Sequence, residues 1–174
     1  MNYDYQDKYL FEANFRYDGS SRFAEGNRWG AFPSFSLGWR ISEEQFFPEL
    51  PFLSDFKIRG SWGQLGNQNI GNYPYQAVYS LDPKYSFNGQ LQTGAAQTVL
   101  ANDNIKWETT TSTNIGFDLN LFNNRLQGSF DWFSKVTDDI LVTLPIALTF
   151  GDKTPPVQNV AQVDNTGWEL VLSY

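Results

Sequence analysis

Residues 29–42 read WGAFPSFSLGWRIS. The odd positions, Trp29, Ala31, Pro33, Phe35, Leu37, Trp39 and Ile41, are apolar. The even ones, Gly30, Phe32, Ser34, Ser36, Gly38 and Arg40, are mostly small or polar. A period of two is the repeat of a β-strand, whose successive side chains point to opposite faces. Two environments suit the greasy face: the inside of a soluble sandwich of two sheets, or the lipid around a membrane barrel. Trp29 and Trp39 share that face ten residues apart, roughly 33 Å at ~3.3 Å per residue. Tilted by ~40–45°, the interval projects to roughly 23–25 Å, about the height of the apolar band between the aromatic girdles of an outer-membrane barrel. Sandwich strands are commonly only about 5–6 residues long, so length favours the barrel.

The flanking chain repeats the pattern. Upstream, Tyr9, Phe11, Ala13, Phe15 and Tyr17 alternate with Leu10, Glu12, Asn14, Arg16 and Asp18. Downstream, a third strand over about 56–65 sets Phe56, Ile58 and Trp62 against Lys57, Arg59 and Ser61. Between 107 and 121, Trp107, Thr109, Thr111, Thr113, Ile115, Phe117, Leu119 and Leu121 form one stripe. From 126 on, Leu126, Gly128, Phe130, Trp132 and Val136 form the next, with Gln127, Ser129, Asp131 and Lys135 opposite. Asn123-Asn124 lies between these two runs, and asparagine tolerates the positive φ of a type I′ turn. That turn predicts Phe122 opposite Arg125, Phe117 opposite Phe130, Ile115 opposite Trp132, Asp118 opposite Ser129 and Asn120 opposite Gln127. A last strand is expected over 167–174, with Trp168, Leu170, Leu172 and Tyr174 on its apolar face.

The connections alternate in length. Modest links at 43–54, with one helical turn after Ser42, and at 122–125 suit periplasmic turns. Longer ones at 19–28, 66–106 and 138–166 suit extracellular loops. Pro33 has no N–H for a ladder bond, which predicts a bulge or a lost bond there.

Composition closes off other classes. Aromatic residues make up 17% of the chain although the mean hydropathy is negative, as expected of strands with one greasy and one wet face. The net charge of −7, with twelve Lys and Arg spread along the chain, lacks the basic footprint that nucleic acid requires. Without cysteine or histidine there are no disulfides, thiolate nucleophiles, His-based triads or the commonest metal ligands.

The same segments carry a family resemblance. KYLFEANFRYDGSSRF (8–23), NRWGAFPSFSLGWRISEE (27–44), KIRGSWGQLGNQNIGNYPY (57–75), IKWETTTSTNIGFDLNLFNNRLQGSFDWFSKVTDDIL (105–141) and NTGWEL (165–170) occur in this order. The series resembles the barrel signatures of the SusC/RagA family of TonB-dependent outer-membrane transporters of Bacteroidota. The resemblance implies an all-β fold, an antiparallel transmembrane β-barrel segment of about six to eight strands with long extracellular loops, from a barrel of about 22 strands. Residues 1–174 are expected to be one partial barrel domain of a longer protein, with neither a plug domain nor a TonB box. The resemblance further implies the Gram-negative outer membrane, TonB as energy source through regions outside this stretch, a SusD-like surface lipoprotein as lid, and an oligosaccharide or peptide as cargo. It implies no catalysis and no cofactor. The alternative from composition and pattern is a soluble secreted β-sandwich that binds glycans.

Candidate residues follow from the two faces. Trp29, Trp39, Tyr9, Tyr17 and Trp132 are expected at the membrane girdles. Tyr73, Tyr75, Tyr79 and Tyr85 lie in the longest loop, where tyrosines can stack on sugars or contact peptides or simply pack the loop. Arg16, Arg40, Arg59, Asp118 and Asp131 lie on the polar face with Glu12, Lys57 and Glu108, where they could meet cargo or form solvated wall. The hairpin register sets Asp118 and Asp131 diagonally, roughly 7–8 Å apart at the backbone, a spacing open to a glycosidase pair as well as to ordinary wall. The loop acids Asp103, Asp138, Asp139 and Asp152 have no EF-hand spacing.

Overall fold

A computed structural model describes residues 1–48, 50–151 and 153–174. The strands are β1 (Asn2–Tyr5), β2 (Tyr9–Gly19), β3 (Trp29–Arg40), β4 (Leu53–Asn67), β5 (Tyr79–Ser80), β6 (Lys84–Phe87), β7 (Gln90–Thr93), β8 (Ala96–Gln97), β9 (Glu108–Leu121), β10 (Leu126–Thr143) and β11 (Val157–Ser173). Seven of them form one antiparallel sheet in the order β1-β2-β3-β4-β9-β10-β11. The link between β4 and β9 carries two small separate pairs, β5 with β8 and β6 with β7. The large sheet is thus an up-and-down meander, the connectivity that period-two segments joined by turns favour. A 3-10 turn at Ile41–Glu43 supplies the helical turn expected after β3.

The β9–β10 hairpin has the register that its pattern predicts. Phe117 faces Phe130, Ile115 faces Trp132, Asp118 faces Ser129 and Asn120 faces Gln127. Asn123 and Asn124 hold φ of 57° and 65°, and the Arg125 N–H donates to Phe122 O at 3.3 Å. Phe117 stacks on Phe130 with ring centroids 5.5 Å apart.

Several boundaries differ from expectation. The stretch 138–166 is not a single loop: β10 runs on to Thr143 and β11 starts at Val157, so the link is 144–156. Asp138-Asp139 looks like loop chemistry, but a bulge absorbs it. The register shifts between Thr137 and Leu141, and Asp139 takes φ 58°. The third strand is longer than the expected 56–65, running Leu53–Asn67, and β1 adds an edge strand that the pattern does not announce. Trp107 lies just before β9 instead of on its outer stripe.

Pro33 produces no bulge. Its ladder to β2 is continuous, with Phe15 opposite Pro33. The Arg40 N–H donates to Lys8 O and the Ser20 N–H to Arg28 O, so the bonded pairs of this ladder fall at even positions. The proline nitrogen therefore faces β4, and pairing with β4 begins only at Ser34, one residue after it. The expected irregularity is a shortened ladder on that side.

The sheet's apolar face stays open: Trp29, Leu37 and Trp168 are 61%, 56% and 67% exposed. The buried core sits at the long-link end of the other face, where Phe23, Phe32, Ile105 and Trp107 pack with Ile70, Leu141 and Val157 around them. The Phe32 ring lies over two glycines. A methyl group on Gly66 would come within 1.9 Å of the ring, and one on Gly30 within 2.5 Å. Trp107 packs on both Phe23 and Phe32, and its Nε1–H donates to Arg28 O at 3.1 Å.

Candidate functional site

Two surfaces of one wall and the loops above it are the candidate site. On the outer surface, Phe11, Leu37, Gly60, Ile115, Trp132 and Trp168 form one continuous cross-strand row. At the short-link end of β2 and β3, Tyr9 stacks on Trp39 at 6.5 Å. At the other end, Tyr17 stacks on Trp29 at 5.1 Å with ring planes 4° apart. The four expected girdle residues of these strands therefore meet as two pairs that bracket the band.

The band descends across the sheet. Its upper aromatic edge is Tyr17 on β2 and Trp168 on β11, but Trp168 shares a row with Phe11, six positions short of Tyr17. Above Trp132 and Trp168 the outer face turns to Ser134 and Thr166. A drop of six residues over five strand steps, at ~3.3 Å per residue and ~4.8 Å per strand, corresponds to strands tilted by roughly 40°. That is the tilt of strands in a closed membrane barrel. Trp132, in mid-sheet by row number, stands at the edge of the band once the tilt is included.

The inner surface is polar. Arg59 donates from Nε to both carboxylate oxygens of Asp118 at 3.2 Å and from Nη2 to Asp131 at 2.6 Å. The three residues come from adjacent strands because Arg59, Gly116 and Asp131 share a row. Gly116 leaves the gap that the bridge crosses, since a methyl group there would meet Asp131 Oδ1 at 2.5 Å. One guanidinium thus ties both acids into a single structural bridge across three strands. Arg16 pairs with Asp18, Glu12 accepts from Asn14 Nδ2 at 2.8 Å, and Glu108 accepts from Asn67 Nδ2 at 3.0 Å. A shallow concavity of about 520 Å³ lies among Asp4, Leu10, Glu12, Lys57, Arg59 and Asn114.

Below the band, Glu44 follows the 3-10 turn and accepts hydrogen bonds from Tyr9 Oη and, at 3.1 Å, from Trp39 Nε1. These bonds, with Lys8 nearby, hold its carboxyl below the ordinary glutamate range. The girdle pair is thereby fastened to the turn beneath it.

The four loop tyrosines separate into two groups. Tyr73 and Tyr75 meet edge to face at 6.3 Å. Tyr79 lies on β5 and Tyr85 on β6, both exposed. The loop is anchored by residues that the pattern did not single out. Asn159 on β11 accepts from the Lys106 N–H at 2.9 Å and donates to Lys106 O at 2.9 Å, imitating a ladder partner. It also donates to Asp139 O at 2.7 Å. Lys106 pairs with Asp139 at 2.7 Å, so that acid is part of the anchor. Asp152 lies outside the described residues. A polar residue in a strand gives no sign of such a role, because its partners are distant in sequence.

Comparison with known proteins agrees with this geometry. A family model described as TonB dependent receptor-like, beta-barrel matches residues 1–174. The chain is 38% identical over 178 residues to TonB-dependent receptor SusC of Bacteroides thetaiotaomicron, matching 99% of this chain and 18% of that protein. It is 41% identical over 173 residues to TonB-dependent receptor P39 of Formosa agariphila, matching 99% of this chain and 16% of that protein. Among solved structures, the RagAB peptide importer in its 'closed-closed' state superimposes with a TM-score of 0.85 at 32% identity, covering 98% of this chain and 18% of that one. Its 'open-open' state gives 0.84. The chain therefore spans less than a fifth of the length of these relatives.

Proposed function

The chain belongs to the TonB-dependent receptor-like β-barrel family, of the SusC/RagA type, and from that premise we propose that it supplies wall, lumenal surface and external loops to an outer-membrane importer of nutrients. One observation carries the reading: a single tilted sheet with an uncovered apolar band outside and an ion-paired polar face inside. A sandwich would bury that apolar face under a second sheet, and among the described residues no second sheet lies over it. The matched relatives are receptors rather than enzymes.

The cargo we propose is an oligosaccharide or a peptide, met first by the external loops. Tyr73, Tyr75, Tyr79 and Tyr85 offer rings that can stack on a sugar or pack on a peptide backbone. Arg16, Arg40, Arg59, Asp118 and Asp131 line the interior path. A SusD-like surface lipoprotein is the proposed lid, and TonB the proposed energy source through parts of the protein outside 1–174. The RagAB peptide importer, solved in 'closed-closed' and 'open-open' states, supports this arrangement by similarity.

The test is a deletion of the complete gene in its host, with growth on single oligosaccharide or peptide sources and isolation of the tagged full-length protein from outer membranes. Selective loss of growth on one source, with a surface lipoprotein co-isolated, is the expected result. Recovery of the full-length protein folded in buffer without detergent would overturn the reading.

A further inference from the structure

The longest link carries a tight turn in the open. β6 pairs with β7 so that Phe87 lies opposite Gln90, which leaves Asn88 and Gly89 as the two turn residues. Their φ values, 50° and 71°, are the left-handed pair that a type I′ turn requires. This is the one Asn-Gly step in the chain. Every residue from 84 to 93 is exposed, and nothing lies within 4 Å of the position where a side chain on Gly89 would begin.

An asparagine before a glycine can react with its own backbone. The next peptide nitrogen attacks the side-chain amide carbon, and glycine, having no Cβ, leaves that approach unobstructed. Here both reacting groups are free: among the described residues, no hydrogen bond engages the Asn88 side chain or the Gly89 N–H. Two strands of four residues make a hairpin of marginal stability in water. Tyr85 and Phe87 are 53% and 68% exposed, so little packing keeps the turn from opening into the reactive geometry. Asparagines elsewhere differ. Asn123 and Asn124 share the left-handed backbone but precede Asn124 and Arg125, whose side chains crowd the attacking nitrogen. Asn67 and Asn159 are held in hydrogen bonds.

We propose that Asn88 is a site of spontaneous covalent modification, in which its side chain closes on the Gly89 nitrogen as a succinimide and reopens as aspartate or isoaspartate. In the first step the Gly89 nitrogen gives its proton to solvent base and bonds to Asn88 Cγ, and the side-chain nitrogen leaves as ammonia. In the second, one water opens the ring. Cleavage of the new bond to Cγ restores the ordinary chain with an aspartate, whereas cleavage of the original peptide bond routes the chain through the side chain as isoaspartate. Water is consumed, ammonia is released and nothing is oxidised or reduced. Either product puts a negative charge at the tip of a hairpin whose one charged residue is Lys84. Isoaspartate also adds a backbone carbon, which a two-residue turn cannot take up with Phe87 still opposite Gln90. The site stands on the exposed turn and is independent of what the importer carries.

Incubation of the full-length protein in outer-membrane vesicles, in neutral and in mildly alkaline buffer, tests this. Peptide mass spectrometry follows replacement of the side-chain NH2 by OH at each asparagine, and electron-transfer fragmentation separates aspartate from isoaspartate. A synthetic peptide of residues 84–93 gives the rate without the fold. The expected result is a mixture of both products at Asn88, formed about tenfold or more faster than at Asn123 or Asn124 and faster in the alkaline buffer. Gly89→Asn, which tolerates the left-handed backbone and reproduces the Asn123-Asn124 step, should slow the reaction about tenfold, and Asn88→Gln should abolish it. Intact Asn88 after complete conversion of the free peptide would show that the fold protects the turn and overturns the site, as does a rate at Asn88 no greater than at Asn123 or Asn124. Aspartate without isoaspartate, or a rate unchanged in Gly89→Asn, overturns the route through the Gly89 nitrogen.

Discussion

At the residue scale the sharpest case is Arg59, which holds Asp118 and Asp131 together. Removing one partner of an ion pair leaves its charges uncompensated, at a cost of about 3–5 kcal/mol when the site is fully buried. Here the side chains of Arg59 and Asp118 are 31% and 35% exposed, so solvent screening reduces the figure. Arg59→Met is expected to destabilise the folded barrel by ~1–2 kcal/mol, and Asp118→Asn, which spares the Asp131 bond, by ~0.5–1 kcal/mol. Urea unfolding of the full-length protein in detergent measures both. Equal losses would mean that Arg59 does not bridge the two acids. Glu44 gives a pH signature. Its carboxyl is depressed in the folded state, so its contribution is present above the unfolded-state value and is lost as pH falls through the folded value. Glu44→Gln should therefore flatten the fall in stability below about pH 4, followed by tryptophan fluorescence. Parallel acid limbs in variant and parent would contradict the assignment.

Elements differ in how far the sequence specifies them. β2, β3, β9 and the start of β10 were legible to within a residue or two, because period-two alternation and a turn that accepts positive φ act locally. The β10–β11 region was not, because Asp138-Asp139 has the chemistry of a loop and only the neighbouring strands make a bulge of it. The shared face of Trp29 and Trp39 was legible from spacing alone, whereas their stacking on Tyr17 and Tyr9 needs the β2–β3 register. The Arg59 bridge was not, since it needs the β4–β9 register across a link of some forty residues. The loop core was hidden for the same reason: Phe23, Phe32, Ile105 and Trp107 come from three separate segments. Phe32 and Gly66 provide its test. Gly66→Ala should expel the ring, and Phe32→Ala should cost about 3–5 kcal/mol of local stability. Each is expected to speed protease cleavage within 68–107. The double variant should be no worse than Phe32→Ala alone, because the clash disappears with the ring. Additive effects would show that the ring and the glycine do not meet.

For the whole molecule, stability comes from its surroundings more than from an interior. The buried cluster is small, and the large apolar surface is the outer band. In water that band would be an aggregation surface, whereas in lipid it is solvated and the paired strands leave few backbone groups bare. The lateral edges, β1 and β11, have no further partner within the described sheet, as expected of one part of a larger closed wall. Such a wall requires odd and even positions of β3 to face different solvents. It is tested by nitroxide labels placed singly at 34–39 in the full-length protein in lipid bilayers, comparing collisions with oxygen and with a water-soluble nickel complex. Oxygen access is expected to peak at 35, 37 and 39, with shielding from oxygen at 34, 36 and 38. Loss of this two-residue alternation, or odd positions shielded from oxygen, would contradict it.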